Sequence, residues 1–255
     1  MPSKKFPHIG DKEDLEPIFT PLDAFVKNID ISKVAKRAVF IYDKTLMKMA
    51  IKELKLRPNL HISWKYFNAV AYRNRENNII VLDIGIGAPL TAAVAEDLFA
   101  VGVEEIVICG TCGGISESLN VGDIVFATKS LRDEGTSHHY ISNLEEFAFP
   151  SLSLNVKLKR IAKANKIKYY EGPSWTIDAI YRETEKELLE YKAKGIFTVE
   201  MESSALFTVS SIRGKRSAAI FVVSDLLGRK WSGFSINDSH YKQLIEIIRD
   251  FADSN

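Results

Sequence analysis

Three carboxylates follow two apolar runs in the C-terminal half of the chain. Glu200 and Glu202 come directly after the run 196–199, and Asp225 comes directly after the run 218–223. Apolar runs of this length between helical segments are typical of buried parallel strands, and ligands bind beyond the carboxyl ends of such strands. We therefore expect the three acids to face one crevice. The alternative, most open for Asp225, is a helix cap or a solvated turn.

Two glycine-rich segments follow other apolar runs. Gly85-Ile86-Gly87-Ala88-Pro89 opens a helical segment, and Gly110-Thr111-Cys112-Gly113-Gly114 follows the run 105–109. Glycine lets the backbone approach a ligand closely, and a helix N-terminus favours an anion. The first segment alone is equally typical of a tight turn. Two such strand exits beside the acids favour a small-molecule site.

Three other features are informative. The loop 132–140, Arg-Asp-Glu-Gly-Thr-Ser-His-His-Tyr, is dense in groups that hydrogen-bond a small molecule. Residues 226–236 form either a lid or a surface loop. Cys109 and Cys112 are expected to be reduced core thiols rather than a redox pair.

The elements that must position these groups alternate along the chain. The pattern predicts strands over 38–42, 64–72, 79–82, 105–109, 121–128, 168–171 with a continuation through 175–184, 196–199 and 218–223, and helices over 45–54, 90–100, 154–164, 185–194 and 237–251. Residues 1–36 are irregular, with room for a short helix in 22–36. This alternation predicts one domain over 1–255, an α/β fold with a mostly parallel sheet between helices.

Composition excludes several classes of protein. The 255 residues carry a net charge of +1 and are 46% hydrophobic, so no bulk charge indicates nucleic acid or a membrane surface. No apolar run approaches the ~20 residues that span a bilayer. The N-terminus lacks the apolar core of a signal peptide. We expect a cytoplasmic protein.

Six segments in this order carry a family resemblance. They are Gly85–Pro89, Gly110–Gly114, Val121-Gly122-Asp123-Ile124-Val125, the loop from Asp133 to Tyr140, Val199-Glu200-Met201-Glu202-Ser203 and Ser224-Asp225. Together they resemble the nucleoside phosphorylase family of purine and uridine phosphorylases, over roughly residues 37–250, with a further match at 7–10. The resemblance implies a single α/β domain with a central, mixed, partly barrel-like sheet. It also implies dimer-based trimers or hexamers and no metal or cofactor beyond inorganic phosphate as co-substrate.

The family reaction displaces a base from C1′ of a ribonucleoside by phosphate, through an oxocarbenium-like transition state. By resemblance, the ribose is held by Glu202, which accepts from its 2′- and 3′-hydroxyls. Glu200 and Met201 belong to the same ribose set, with Met201 packed on the sugar face. His8 reaches the 5′-hydroxyl of a neighbouring subunit's ligand.

The base is matched less clearly. By resemblance, Asp225 protonates or hydrogen-bonds N7 of a purine, and uridine-specific members usually lack this acid. The polar loop, however, looks more like that of the uridine branch. The expected base contacts are Gly113, Thr136, Ser137, Arg182, Glu183 and Asp225, and the choice between purine and uridine stays open.

The phosphate site departs from the family. Tyr42-Asp43-Lys44-Thr45-Leu46 replaces a Gly-Asp-Pro-x-Arg turn, and Ile108 replaces another arginine. The remaining phosphate ligands are Gly87, Thr111, Lys44 and Lys65. Since losing bidentate arginines is not conservative, a nucleosidase with water as nucleophile is one alternative. A non-catalytic nucleoside-binding protein is the other.

Overall fold

The computed structural model describes Lys12 and residues 15–26, 29–64, 67–141, 145–228 and 231–254. Two of the predicted site residues, His8 and Lys65, lie outside the described residues.

Helices and strands alternate through most of the described chain. The helices are α1 Pro21–Ala24, α2 Lys44–Glu53, α3 Ala88–Ala100, α4 Leu152–Ala164, α5 Glu185–Ala193, α6 Ser203–Ile212 and α7 Asp238–Asp253, with 3-10 turns at Ile31–Lys33, Ser137–His139 and Ile180–Arg182. The strands are β1 Arg37–Ile41, β2 Arg57–Pro58, β3 Ala69–Arg73, β4 Ile80–Ile84, β5 Glu105–Gly114, β6 Ile124–Asp133, β7 Phe147–Ala148, β8 Tyr169–Ile177, β9 Thr198–Glu200 and β10 Arg216–Leu226.

The sheet is mixed, and part of it closes on itself. β5 pairs in parallel with β10, β10 pairs antiparallel with β6, and β6 pairs in parallel with β8. β8 then pairs in parallel with β9, and β9 returns antiparallel to β5. These five strands form a closed ring, while β1, β4, β3 and β2 extend from β5 as an open sheet. The expected partly barrel-like α/β fold is confirmed.

Helices cover both faces of this sheet. Apolar side chains of α3 and α6 pack on one face, and those of α2, α4 and α7 pack on the other. The spacing of Tyr241, Leu244, Ile245, Ile248 and Phe251 places them on one stripe of α7, and all five are buried. Each large side chain buried in this way stabilises the fold by roughly 1.5–3 kcal/mol.

Four expected elements differ from the structure. The strand expected over 121–128 runs over Ile124–Asp133, and the strand expected to continue through 184 ends at Ile177 and is followed by a 3-10 turn. The strand expected over 64–72 begins only at Ala69, because Trp64 instead stacks on Phe25 with ring centroids 5.2 Å apart and donates to Asp97 at 2.9 Å. The glycine run 110–114, expected to leave its strand, continues β5 to its end. Leucine methyls of β10 and of the residue after it lie so close to Gly113 and Gly114 that a Cβ there would collide with them.

A bulge near the end of β10 sets the direction of Asp225. Val223 pairs with Cys112 and Asp225 pairs with Gly113, so Ser224 is the extra residue on β10. A bulge of this kind re-aims the next side chain.

In the described ranges, no helix combines the length and the apolar character that crossing a membrane requires.

Candidate active site

Glu200 ends β9 and holds the turn into α6. Its Oε2 accepts the backbone N–H groups of Glu202 at 2.8 Å and Ser203 at 2.7 Å. Its Oε1 accepts the hydroxyls of Thr176 and Ser203, both at 2.6 Å, and that of Ser174 at 3.2 Å. A carboxylate offers about four lone-pair sites, so these donors leave none for a ribose hydroxyl. Glu200 fixes the turn, and the expected ribose contact rests on Glu202.

Glu202 caps α6 and reaches the N-terminus of α3. Its Oε1 accepts the N–H of Gly87 at 2.8 Å, and its Oε2 accepts the N–H of Met201 at 3.2 Å. Gly87 has φ +115°, a conformation that favours glycine. The anion expected at this helix N-terminus is therefore the protein's own carboxylate, and the Gly87 amide predicted to bind phosphate already has an acceptor.

Burial governs the protonation of this acid pair. It raises the pKa of Glu202 to about 8, and the charge of Glu200 adds to the shift, while the N–H groups of Gly87 and Met201 oppose it. Burial also raises the pKa of Glu200, against a larger set of donors. Since Glu202 has fewer donors, it is the member of the pair that more readily holds a proton.

The acids of β9 and β10 lie near one another. Burial raises the pKa of the Cys112 thiol, and the charges of Glu200 and Asp225 raise it further. Gly113, the residue after Cys112, pairs with Val199 of β9 and with Asp225 of β10, so the ends of these two strands lie on either side of β5. Glu202 in turn acts on Tyr42: burial raises the pKa of this phenol and the charge of Glu202 adds to it.

Asp225 is almost fully buried, and both of its oxygens accept hydrogen bonds. The hydroxyl of Ser224 donates to Oδ1 at 2.6 Å, and the indole N–H of Trp231 donates to Oδ2 at 2.7 Å. Ser224 itself is buried, whereas Trp231 is 59% exposed. The solvated-turn alternative for Asp225 does not hold.

Glu183 is a half-buried acid that senses the charge of Asp225. Burial raises the pKa of Glu183 to about 7, and the charges of Asp225 and Glu187 contribute to the shift. Arg182, expected beside it, is exposed. Of these two predicted base contacts, Glu183 is the one that is partly buried.

The polar loop 132–140 is largely an internal network. Arg132 is buried and donates to the Ser137 hydroxyl at 2.9 Å. Glu134 accepts the Ser137 N–H at 2.9 Å and the Ser204 hydroxyl at 2.8 Å, which ties the loop to α6. Ser137 is fully buried and Thr136 half-buried. The loop is therefore a buried support, and Thr136 is its more accessible predicted base contact.

The predicted phosphate ligands are dispersed or engaged. Lys44 is exposed and forms an ion pair with Asp83 at 2.7 Å. Ile108, in the position of a family arginine, is fully buried among apolar side chains. Thr111 is half-buried on β5. Of the expected ligands that the structure describes, Thr111 is the one without a competing contact in the protein.

The two cysteines are reduced thiols in the core, as expected. Cys109 and Cys112 are free and buried, and burial raises the pKa of both thiols. Within the described part of the chain, no group of three His, Cys, Asp or Glu side chains is arranged to hold a metal ion.

Sequence reasoning missed three residues that contact the acids or lie near them. Tyr42 lies close enough to Glu202 to sense its charge, and its hydroxyl bonds to Thr91 at 2.8 Å. Thr176 and Trp231 bond directly to Glu200 and Asp225. For Trp231 a signal existed, because it lies in the loop 226–236 that was considered as a lid.

The fold and the site together define an α/β protein with buried carboxylates gathered at one part of a closed strand ring, a site suited to a hydroxyl-rich small molecule. The chain belongs to the phosphorylase superfamily, whose family model matches residues 39–247.

The chain is also similar to named proteins over part of its length. The chain is 34% identical over 146 residues to guanosine phosphorylase of Halorubrum lacusprofundi, covering 57% of this chain and 60% of that protein. It is 32% identical over 156 residues to uridine phosphorylase of Haemophilus influenzae, covering 56% and 62%. The chain therefore spans about three fifths of the length of these curated relatives.

A solved structure supports the fold over nearly the whole chain. The P. knowlesi homologue of P. falciparum PNP superimposes with a TM-score of 0.75, covering 97% of this chain and 96% of the other, at 17% identity.

Proposed function

We propose that the protein is a nucleoside phosphorylase that cleaves the N-glycosidic bond of a ribonucleoside with inorganic phosphate, giving the free base and ribose 1-phosphate. The observation that carries the proposal is that Gly113 of β5 pairs with Val199 of β9 on one side and with Asp225 of β10 on the other, so that Asp225 and the β9 exit leading to Glu202 flank the same strand. Glu202 suits the sugar hydroxyls, and Asp225 suits the leaving base. The names of the two relatives support the same reaction.

On this proposal Glu202 holds the sugar. Hydroxyl donors favour the ionised form of a carboxyl group, so two adjacent ribose hydroxyls that donate to Glu202 lower its raised pKa on binding, and bonds to a charged group are the strong ones. The Gly87 and Met201 amides fix its position before the substrate arrives. Met201, half-buried beside it, packs on the sugar face.

Asp225 serves the leaving group. As the oxygen of phosphate attacks C1′, the bond from C1′ to the base nitrogen breaks and its electron pair moves into the base. A purine relieves this charge at N7, by a proton or a hydrogen bond from the carboxyl group of Asp225, which first takes up a proton from solvent at Oδ2. A general acid of this kind contributes roughly 10²–10⁴-fold. This supports purine nucleosides as substrates, with Gly113, Thr136 and Glu183 as further base contacts.

Hydrolysis is the second candidate, and a specific observation favours it. Lys44 pairs with Asp83, and the Gly87 amide is bound to Glu202. Phosphate would have to displace protein acceptors from both, whereas water needs neither. Whether phosphate or water is the nucleophile depends on phosphate binding by Thr111 and Lys65, which we retain as proposed phosphate ligands.

The deciding experiment is a panel of guanosine, inosine, adenosine and uridine, assayed with and without phosphate, with the sugar product identified. We expect turnover of a purine nucleoside only with phosphate, and ribose 1-phosphate as product. Glu202→Ala is the inactive control. Cleavage at full rate without phosphate, giving free ribose, replaces the first proposal with the second. No cleavage with tight nucleoside binding indicates a binding protein.

We further propose a dimer-based hexamer that acts in nucleotide salvage in the cytoplasm. His8 and Lys65 are assigned by resemblance to a neighbouring subunit's site. Leu60, Val70 and Ile86 are exposed apolar side chains of the extended sheet and the glycine turn, as expected for a surface that another subunit covers. Light scattering after size exclusion tests the assembly, and a monomer at micromolar concentration would refute it.

A further inference from the structure

Trp231 makes a short contact with the acid assigned to the leaving base. Its indole N–H lies 2.7 Å from Oδ2 of Asp225, and its ring packs edge-on against Phe234 with centroids 5.0 Å apart. Both aromatic rings are largely exposed, at 59% and 67%. A large apolar side chain held at the surface by one hydrogen bond to a buried acid requires an explanation.

The oxygen that Trp231 occupies faces the expected base site. A Cβ placed on Gly113 would lie 3.6 Å from Oδ2 of Asp225. The same position would collide with Cδ1 of Leu227, two residues after Asp225. Gly113 is a predicted base contact, so Asp225 Oδ2 and Leu227 together cover the strand segment that a base would approach.

The two attachments of Asp225 differ in how firmly they are built. Ser224 is buried within β10 and its hydroxyl also lies 3.2 Å from the carbonyl oxygen of Cys112. Trp231 belongs to the arm, which we define as the described residues 226–228 and 231–236. The arm is closed by bonds between Leu226 and Ser232, at 2.8 and 3.2 Å, and by one from the Ser235 N–H to the Ser224 carbonyl at 3.1 Å.

A purine N7 and the indole N–H compete for the same oxygen. The indole donates to Oδ2 of the ionised carboxylate, whereas N7 of a nucleoside accepts from Oδ2 after that oxygen has taken up a proton from solvent. With Oδ1 engaged by the buried Ser224, Oδ2 is the oxygen available to a ligand, and the indole is the partner that can leave. A protein whose competent arrangement is only partly populated binds its ligand more weakly by that fraction. The indole contact therefore lowers apparent affinity for a purine while keeping the acid in place.

We propose that Trp231 is a positioning residue that holds Asp225 in a resting arrangement, and that a purine base displaces its indole from Oδ2. This rests on the proposed role of Asp225 at the leaving base. It assigns to the arm a purine-dependent opening that a pyrimidine, which has no N7, does not trigger.

The first test uses the unaltered protein. The indole N–H resonance of Trp231 is followed by two-dimensional ¹H–¹⁵N NMR and assigned by its loss in Trp231→Phe, with Trp64 and Trp175 as internal references. We expect a large shift on saturation with hypoxanthine and none with uracil. An unmoved Trp231 resonance under saturating hypoxanthine, or an equal shift with uracil, overturns the inference.

The second test separates this role from a structural one. Trp231→Phe should lower KM for a purine nucleoside by roughly tenfold, as expected when a competing bond to a charged group is removed, with kcat within about threefold. Phe234→Leu is the matched control, since it removes the ring contact and keeps the indole donor, and its KM should change less than about twofold. A raised or unchanged KM in Trp231→Phe, or equal effects of the two variants, contradicts the inference.

The inference and the proposed function can fail separately. A hypoxanthine-dependent Trp231 shift in a protein that cleaves no nucleoside rejects the proposed catalysis and leaves the displacement standing. Purine nucleoside cleavage with an unmoved Trp231 resonance rejects the displacement and leaves the proposed catalysis standing.

Discussion

The turn around Glu200 and the arm around Trp231 hold neighbouring acids by opposite means. Glu200 is buried in a set of hydroxyls and backbone amides contributed by β8, the turn residue Glu202 and the start of α6. Asp225 is held on one side by Ser224 and on the other by a single indole from an exposed segment. The first acid cannot leave its partners without loosening three elements, whereas the second can exchange one partner at the surface.

That difference matches the two tasks in glycosidic bond cleavage. Sugar binding needs a carboxylate whose position does not change, and the amides around Glu202 are fixed by the Glu200 turn and by the N-terminus of α3. The leaving base changes its charge during the reaction, so its partner must exchange contacts. If the proposed roles hold, a rigid sugar side and an adjustable base side follow from how the donors are distributed.

The largest effect is expected at the sugar side. Glu202→Ala should lower kcat/KM for a ribonucleoside by roughly 10³-fold, because two hydrogen bonds to a charged group are lost. The corresponding 2′-deoxynucleoside can make only one of them, so its loss should be about tenfold smaller. Steady-state kinetics on both substrates test this, and an equal loss on both would exclude Glu202 as the ribose acceptor.

A smaller and more selective effect is expected at the base side. Asp225→Asn keeps the shape of the side chain and removes its acid, so purine nucleoside cleavage should fall by roughly 10²-fold, the lower end of general acid contributions. Uridine, if it is a substrate, should change less than about threefold. The ratio of kcat/KM for the two nucleosides is the measurement, and loss shared equally between them rejects the leaving-group role.

Disturbing the hydrogen bonds around Glu200 is expected to lower the stability of the fold. Glu200→Gln turns an amide NH₂ toward hydroxyl and N–H donors, and we expect it to lower the free energy of unfolding by about 2–4 kcal/mol. Glu202→Gln is the matched control at the neighbouring position and should cost less than about 1 kcal/mol. Urea unfolding at pH 7 compares them, and equal midpoints would show that the Glu200 network is not the fixed part of the site.

Taken over a single pH unit, the smallest effect is the dependence of stability on pH. The pKa of Glu202 rises from an ordinary value of 4.5 to about 8 in the fold. Between these values the folded state holds a proton that the unfolded state releases, so stability should fall as pH rises, by at most roughly 1.4 kcal/mol per pH unit. Urea midpoints at pH 5, 6.5 and 8 measure the slope.

Glu202→Gln should flatten that slope without abolishing it. The raised pKa of Glu183, about 7, contributes in the same direction over its own range. A slope identical in the variant and the unaltered protein would mean that Glu202 is ionised throughout and would remove the difference between the two acids of the pair.

Elements with a clear period could be predicted from the sequence. The stripe of α7 and the apolar runs of β1 and β9 were placed within about two residues. The continuation of β5 through the glycine run 110–114 could not be predicted. There, Leu226 and Leu227 pack closely against a backbone without side chains, and both are distant from the run in the sequence. Trp64 likewise depended on Phe25 and Asp97, which are distant in the chain.

For the site, the sequence alone predicted that Glu200, Glu202 and Asp225 lie at the ends of buried strands, because they follow short apolar runs typical of such strands. Only the tertiary structure decided how each acid is held. Donors from β8 and α6 fill Glu200, the α3 N-terminus meets Glu202, and a bulge with an exposed indole sets Asp225. A sequence specifies which groups can accept a hydrogen bond, but which donors reach them depends on contacts between residues far apart in the chain.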